Sequence, residues 1–284
     1  MIIFKRAREL RAYLHKMKDK GLKTGFVPTM GALHQGHLSL IRASQKHNEI
    51  TLCSVFVNPT QFNDPKDFEK YPVRTEDDIY LLERAACDIL FLPTVGEIYP
   101  GGITSGTHYA LGNLENILEG MYRPGHFQGV CQVMERLLNI VHPDCLYLGQ
   151  KDYQQCMVLK RLVELIQLPV RIEICPTLRE SDGLAMSSRN LRLNVPEREK
   201  ATGIFKALEF IRQNIEPGTT NHILYDAQVM LSQNGFKVDY VAISKAENLE
   251  LVNHWDGKTP LVALAAAFLN QVRLIDNLLL ETSN

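Results

Sequence analysis

Two histidines three residues apart, His34 and His37, close the stretch Pro28-Thr29-Met30-Gly31-Ala32-Leu33-His34-Gln35-Gly36-His37. An apolar run, Gly25-Phe26-Val27, leads into it and breaks at Pro28. Leu38, Leu40 and Ile41 then restart an apolar pattern. This reads as strand, tight loop and helix N-terminus. Backbone N–H groups at a helix N-terminus bind anions. Two imidazoles placed there donate hydrogen bonds to a phosphate without carrying a permanent charge. The stretch is therefore expected to hold nucleotide phosphates. The glycines Gly31 and Gly36 match neither the Gly-x-Gly-x-x-Gly fingerprint nor a P-loop. Metal binding by the two rings would need a carboxylate or cysteine at helical spacing, and the sequence offers none there.

Further polar groups follow apolar runs. Asn58 and Gln61 come directly after residues 49–57, and their amides suit a hydroxy-acid. Asn58-Pro59 is equally a turn signal. Arg123 and His126, in a Gly/Pro-defined loop, read as anion ligands or as a solvated arginine and a packed histidine. Gly149-Gln150-Lys151-Asp152 follows another apolar run, with Gln155 one helical turn on. Lys151 supplies a mobile positive charge for phosphate oxygens. Met186-Ser187-Ser188-Arg189 gathers two hydroxyls and a guanidinium, which is phosphate-clamping chemistry; the alternative is a solvated linker.

The elements that must position these groups alternate. Helices are expected over residues 4–18, 36–47, 75–86, with Thr75 as N-cap and Asp78 three residues on, 129–141 and up to 168. Strands are expected over 23–27, 49–57, 88–92, 144–148 and 170–175. This order points to an α/β fold with a doubly wound parallel sheet, Rossmann-like, in which ligands bind beyond the C-terminal strand ends. The loops above would then gather on one edge. Residues 64–72 read as a mobile polar loop. Beyond Pro176 the pattern changes. Helices starting at Asn194-Val195-Pro196 and over 221–233 precede strands over 236–243, 261–269 and 272–280, with Asn270-Gln271 as a hairpin turn. Residues 1–176 are thus expected to form the nucleotide- and acid-binding domain, and 177–284 a smaller α+β domain.

The 284 residues carry a net charge of −1 and are 45% hydrophobic. That excludes a global electrostatic pull toward nucleic acid. No apolar run has the length of a membrane span, and no signal peptide is evident, so a cytoplasmic location is expected. Six cysteines without a Cys-x-x-Cys pair read as buried thiols in a reducing compartment.

His34-Gln35-Gly36-His37 resembles the HxGH motif of a nucleotidyltransferase superfamily. Together with Phe56-Val57-Asn58-Pro59-Thr60-Gln61-Phe62, Arg123-Pro124-Gly125-His126-Phe127, Gly149-Gln150-Lys151-Asp152-Tyr153-Gln154-Gln155 and Asp182-Gly183-Leu184-Ala185-Met186-Ser187-Ser188-Arg189-Asn190, it resembles the pantothenate synthetase (pantoate–β-alanine ligase) family. The resemblance runs from about residue 3 to the C-terminus. Gln132-Val133-Met134 and Tyr71-Pro72-Val73-Arg74 depart from the family pattern.

The resemblance implies ATP, pantoate and β-alanine as substrates, with Mg²⁺ carried on the phosphates, and a pantoyl-adenylate intermediate that releases AMP and pyrophosphate. It implies that Met30, Gly31, Ala32, Leu33, His34, Gln35, Gly36 and His37 bind ATP. Gly149, Gln150, Lys151, Asp152, Leu178, Met186, Ser187, Ser188 and Arg189 would bind it too. Within these sets His34, His37, Lys151, Ser187, Ser188 and Arg189 are the catalytic group, with His37 the proton donor. Asp152 would contact the ribose or neutralise Lys151. Gln61, Gln155 and Asn58 would take the acid. The 64–71 loop and the second domain are candidate lids, and a homodimer is implied. Another nucleotidyltransferase, or a non-catalytic nucleotide-binding module, remains the alternative.

Overall fold

The structure, a computed structural model, describes residues 1–62, 68–69, 71–103 and 106–280. The polar loop expected over 64–72 lies largely outside the described residues. The chain divides into two compact units, Met1–Gly149 with Val158–Pro176, and Gln150–Met157 with Thr177–Asn284.

The first unit is built on a six-stranded sheet of β1 (Ile2–Phe4), β2 (Thr24–Thr29), β3 (Ile50–Val55), β4 (Ile89–Phe91), β5 (Cys145–Gly149) and β6 (Arg171–Cys175). Their order is β1-β4-β3-β2-β5-β6, and every adjacent pair is parallel. All residues of β3 and β4 are buried, as strands covered on both faces require. Each fully buried Leu or Ile in them contributes about 1.5–3 kcal/mol. From β2 the chain winds one way through β3 and β4; from β5 it winds the other way to β6. The switch point therefore lies between β2 and β5, the place where such sheets bind ligands.

Several expectations change in detail. Phe4 belongs to β1, paired with Phe91, and helix Ala7–Lys18 begins after it. The apolar Met1-Ile2-Ile3-Phe4 run favours a strand over the helical spacing read into Phe4. Helix His126–Val141 starts three residues early, because Gly125 in a left-handed conformation (φ 78°) serves as its N-cap. Helix Thr75–Arg84 has Arg74 as N-cap, and Thr75 makes no cap. Asp78 is drawn to the loop after β2, where it accepts backbone N–H groups.

The second unit has a three-stranded antiparallel sheet in which Leu261–Leu269 lies between Val272–Leu280 and Phe236–Lys245. Asn270, at φ 50°, turns the hairpin, with Leu269 opposite Val272. Helices Gly203–Asn214 and Asn221–Gln233 supply Leu208, Ile211, Ile223 and Leu231 to a core shared with Ile243, Ala263 and Ala265. The expected long helix after Asn194 is two, Val195–Ala201 and Gly203–Asn214, parted at Thr202. Asn194 and Glu197 form the capping box of the first.

Residues 150–157, expected in the first domain, group with this second unit. The physical reason is local. The Tyr153 hydroxyl donates to the Ala246 carbonyl at 2.7 Å, and Asn277 holds Gln150 and Lys151. No helix among the described residues is long and apolar enough to cross a membrane.

Candidate functional site

The loop after β2 is shaped by two left-handed residues, Gly31 (φ 82°) and Ala32 (φ 48°). A Cβ on Gly31 would lie 2.9 Å from Asp78 Oδ2 and 3.0 Å from Val55 Cγ1, so only glycine fits. Asp78 explains the turn. Its carboxylate reaches from helix Thr75–Arg84 to accept the N–H groups of Ala32 (3.0 Å) and Leu33 (2.7 Å). Burial pushes the Asp78 carboxyl up, against the downward pull of those two donors. Thr29 adds a second tether: its hydroxyl donates to the Ser54 carbonyl at 2.7 Å and accepts Gly31 N–H at 3.2 Å.

The loop delivers His34 to the N-cap of helix Gln35–Gln45. His34 Nδ1 accepts Gly36 N–H at 3.2 Å, and His37 Nδ1 accepts His34 N–H at 3.2 Å. The pair is thus a capping box made of imidazoles. An Nδ1 that accepts a backbone N–H leaves the ring proton on Nε2. With Nδ1 accepting in both, each ring places its proton on Nε2, and the ring centroids lie 4.0 Å apart. Such a pair presents hydrogen-bond donors, whereas metal ligation at Nε2 needs a lone pair there. Among the described residues no group of three His, Cys, Asp or Glu side chains is arranged to hold a metal.

Asn58 does not offer its amide to a ligand. It is 1% exposed, and its Nδ2 donates to Gln61 Oε1 and to the Gly129 carbonyl, each at 3.2 Å. Its Oδ1 accepts from the Tyr99 hydroxyl at 2.8 Å and from Thr60. The Asn58 side chain, expected at the acid, is hydrogen-bonded to Gln61 and to the Gly129 backbone. Gln61 also points its Nε2 at Met30 Sδ, 2.9 Å away, which joins two predicted site residues. Its backbone carbonyl is held by His126 Nδ1 at 2.7 Å. A carbonyl only accepts, so His126 carries its proton on Nδ1, and its Nε2 takes the Arg123 Nη1 donor at 3.1 Å. Arg123 and His126 are thus packed groups behind Gln61. Gly129 completes the arrangement, since a Cβ there would lie 2.2 Å from the Thr60 carbonyl oxygen.

In the second unit Lys151, Ser187, Arg189, Asn190 and Arg273 line one pocket. Lys151, Ser187 and Arg189, far apart in sequence, meet at this pocket. Lys151 Nζ lies 3.3 Å from Asp152 Oδ1. Ser187 Oγ accepts Arg189 N–H at 3.3 Å, and its own proton is available to donate. Met186 N–H donates to the Leu178 carbonyl at 3.0 Å, which closes the loop between them, and Leu178 is exposed. Gln155 is half-buried in the first turn of helix Tyr153–Leu165. The predicted residues form two sets: 30–37, Asn58, Gln61 and Gly149 in the first unit, and 150–155, Leu178 and 186–189 in the second. Sequence reading placed Asp78 and Arg179 without their anchoring roles, and missed Arg273, Asp276 and Asn277 altogether. The one available signal was Asp276-Asn277, two polar residues inside an apolar strand.

A family model described as pantoate-beta-alanine ligase matches residues 2–279. The chain is 42% identical over 283 residues to the pantothenate synthetase of Cytophaga hutchinsonii, covering 99% of each. It is 41% identical over 284 residues to that of Caldicellulosiruptor bescii, again covering 99% of each. The crystal structure of pantothenate synthetase from Thermus thermophilus is similar, with TM-score 0.89, 40% identity, and 98% of this chain and 99% of that one covered. The pantoate-beta-alanine ligase of Francisella tularensis, crystallised in complex with beta-gamma ATP and beta-alanine, matches with TM-score 0.84 and 37% identity, over 100% of this chain and 99% of that one.

Proposed function

This chain belongs to the pantoate–β-alanine ligase family, and we propose that it joins pantoate to β-alanine in two ATP-driven steps. In the first, a carboxylate oxygen of pantoate attacks the α-phosphorus of ATP. The bond from that phosphorus to the bridging oxygen breaks, and pyrophosphate leaves with the electron pair. In the second, the amine of β-alanine attacks the acyl carbon of pantoyl adenylate. The acyl–oxygen bond breaks, AMP leaves, and the new amide nitrogen gives its proton to solvent.

The observation that carries this reading is the imidazole capping box. His34 and His37 are locked as Nε2–H donors at a helix N-terminus, beyond the end of β2 beside the switch point. Fixed donors of this kind stabilise charge as it develops on phosphorus and on the leaving pyrophosphate. His34 and His37 are assigned to the α- and β-phosphates, with His37 donating to the leaving group. Lys151, Ser187, Ser188 and Arg189 are assigned to the β- and γ-phosphates. Gln61 and Gln155 are assigned to pantoate. Met30 and Leu178 are assigned to the adenosine. The complexed Francisella relative supports ATP and β-alanine as substrates. Mg²⁺ would enter as part of the nucleotide substrate and would neutralise charge on its phosphates.

Purified protein is expected to catalyse ATP–pyrophosphate exchange only when pantoate is added. Exchange that ignores pantoate, or none at all, would overturn the proposal. His37→Ala is expected to keep ATP binding and to lower single-turnover adenylation about 10²–10³-fold. An unchanged rate would take His37 out of the chemistry.

A further inference from the structure

The last strand carries an acid and an amide where its neighbours are apolar. Asp276 and Asn277 are 2% and 1% exposed, between Ile275 and Leu278. The sheet does not need them. Their ladder partners are Ala265 and Leu264, and backbone pairing is indifferent to what the side chains are. Burying a polar side chain costs free energy unless it is hydrogen-bonded, so their partners matter.

Consecutive strand residues point to opposite faces. Asn277 uses one side. Its Nδ2 donates to the carbonyls of Gln150 (3.0 Å) and Lys151 (2.8 Å), and its Oδ1 accepts from Gln150 Nε2 at 3.2 Å. Both amide hydrogens therefore go to the backbone that bears Lys151. Asp276 uses the other side. Arg179 grips it with two nitrogens, at 2.6 and 3.0 Å, and donates also to the carbonyls of Gly183 (3.1 Å) and Asn277 (3.2 Å). The same guanidinium lies 4.3 Å over the Phe205 ring, the ring that leaves no room for a side chain at Gly183. Arg179 and Ala185 are bridged across the base of this loop, and Ser187, Ser188 and Arg189 follow directly.

We propose that Asn277 and Asp276 are positioning residues for phosphate binding: Asn277 fixes the backbone carrying Lys151, and Asp276, through Arg179, fixes the loop carrying Ser187, Ser188 and Arg189. Two segments from distant parts of the chain are thereby referred to one rigid strand. The inference rests on the assignment of Lys151 and Ser187–Arg189 to the ATP phosphates. Displacing a binding group by about 1 Å costs about 10²-fold in rate, which is the scale at stake.

The test is a double-mutant cycle on the full chain, read by pantoate-dependent ATP–pyrophosphate exchange. Asn277→Asp keeps the shape and Oδ1 but removes both amide donors. Asn277→Asp and Lys151→Ala are each expected to lower exchange about 10²-fold. The double variant is expected to fall no further than Lys151→Ala, because the group that Asn277 positions is already gone. Losses that multiply would make Asn277 merely structural and overturn the inference. Normal exchange in Lys151→Ala would instead overturn the phosphate assignment itself, a distinct outcome. Thermal melts report folding. Should Asn277→Asp fail to fold, Arg179→Lys, which keeps the charge and loses the two-pronged grip, is read the same way against Arg189→Ala.

Discussion

Asp78 shows how one side chain sets the geometry of the histidine loop. Its carboxylate accepts two consecutive N–H groups, from Ala32 and Leu33, and so holds Ala32 at positive φ. A non-glycine residue costs energy there, and the anchor offsets it. Burial raises the carboxyl above its ordinary value of 3.8. The folded chain thus holds this proton more tightly than the unfolded chain. By linkage, the stability gained from it is full below the unfolded value and is lost as pH rises through the folded one. The loop works in the opposite sense. The ionised group accepts both N–H groups, whereas a protonated group turns one oxygen into a donor. Exchange activity is therefore expected to fall on the acid side with an apparent pKa above 3.8. Asp78→Asn, with one acceptor and one opposing N–H₂, should lower exchange about tenfold and abolish that limb. A pH profile that keeps the limb in the variant would assign it to another group.

The helix His126–Val141 and the turn Pro59–Gln61 form a second positioning device. Gly129 lets the helix touch the turn backbone, and His126 in the first helical turn holds the Gln61 carbonyl. Asn58 holds the Gln61 side chain from the other side. Removing one partner of a buried hydrogen bond costs about 1–3 kcal/mol. His126→Ala is expected to raise the KM for pantoate about tenfold or more and to leave the KM for ATP near its normal value. His126→Asn keeps an N–H near the Nδ1 position and should recover most of the loss. An equal rise in both KM values would place His126 in folding alone. The element-level reading of the sequence found this helix but started it at 129. Gly125-His126 looked like loop chemistry, since glycine breaks helices more often than it caps their start.

Taken as a whole molecule, what was legible in the sequence is what repeats locally. Apolar runs and turn residues placed nearly every strand of the parallel sheet, because propensity and periodicity act over a few residues. The histidine, lysine and serine–arginine motifs were visible for the same reason. What was not legible is pairing at a distance. Asp78 meets Ala32 across 46 residues, and Asn277 meets Lys151 across 126. No local pattern announces such partners; only the closed fold creates them. The six cysteines can be read at this same level. All six are buried, and burial pushes Cys87 and Cys131 up to about 12 and Cys175 up to about 11. A thiol reacts as its thiolate, so burial and a raised pKa protect it twice over. Native protein at pH 8 is expected to give no rapid reaction with an aromatic disulfide reagent, and six thiols once urea unfolds it. Its melting temperature should be the same with and without reductant, because none of the stability comes from a crosslink. Rapid native labelling of one or more thiols, or a melting temperature that falls on reduction, would contradict the sealed core from which both expectations follow.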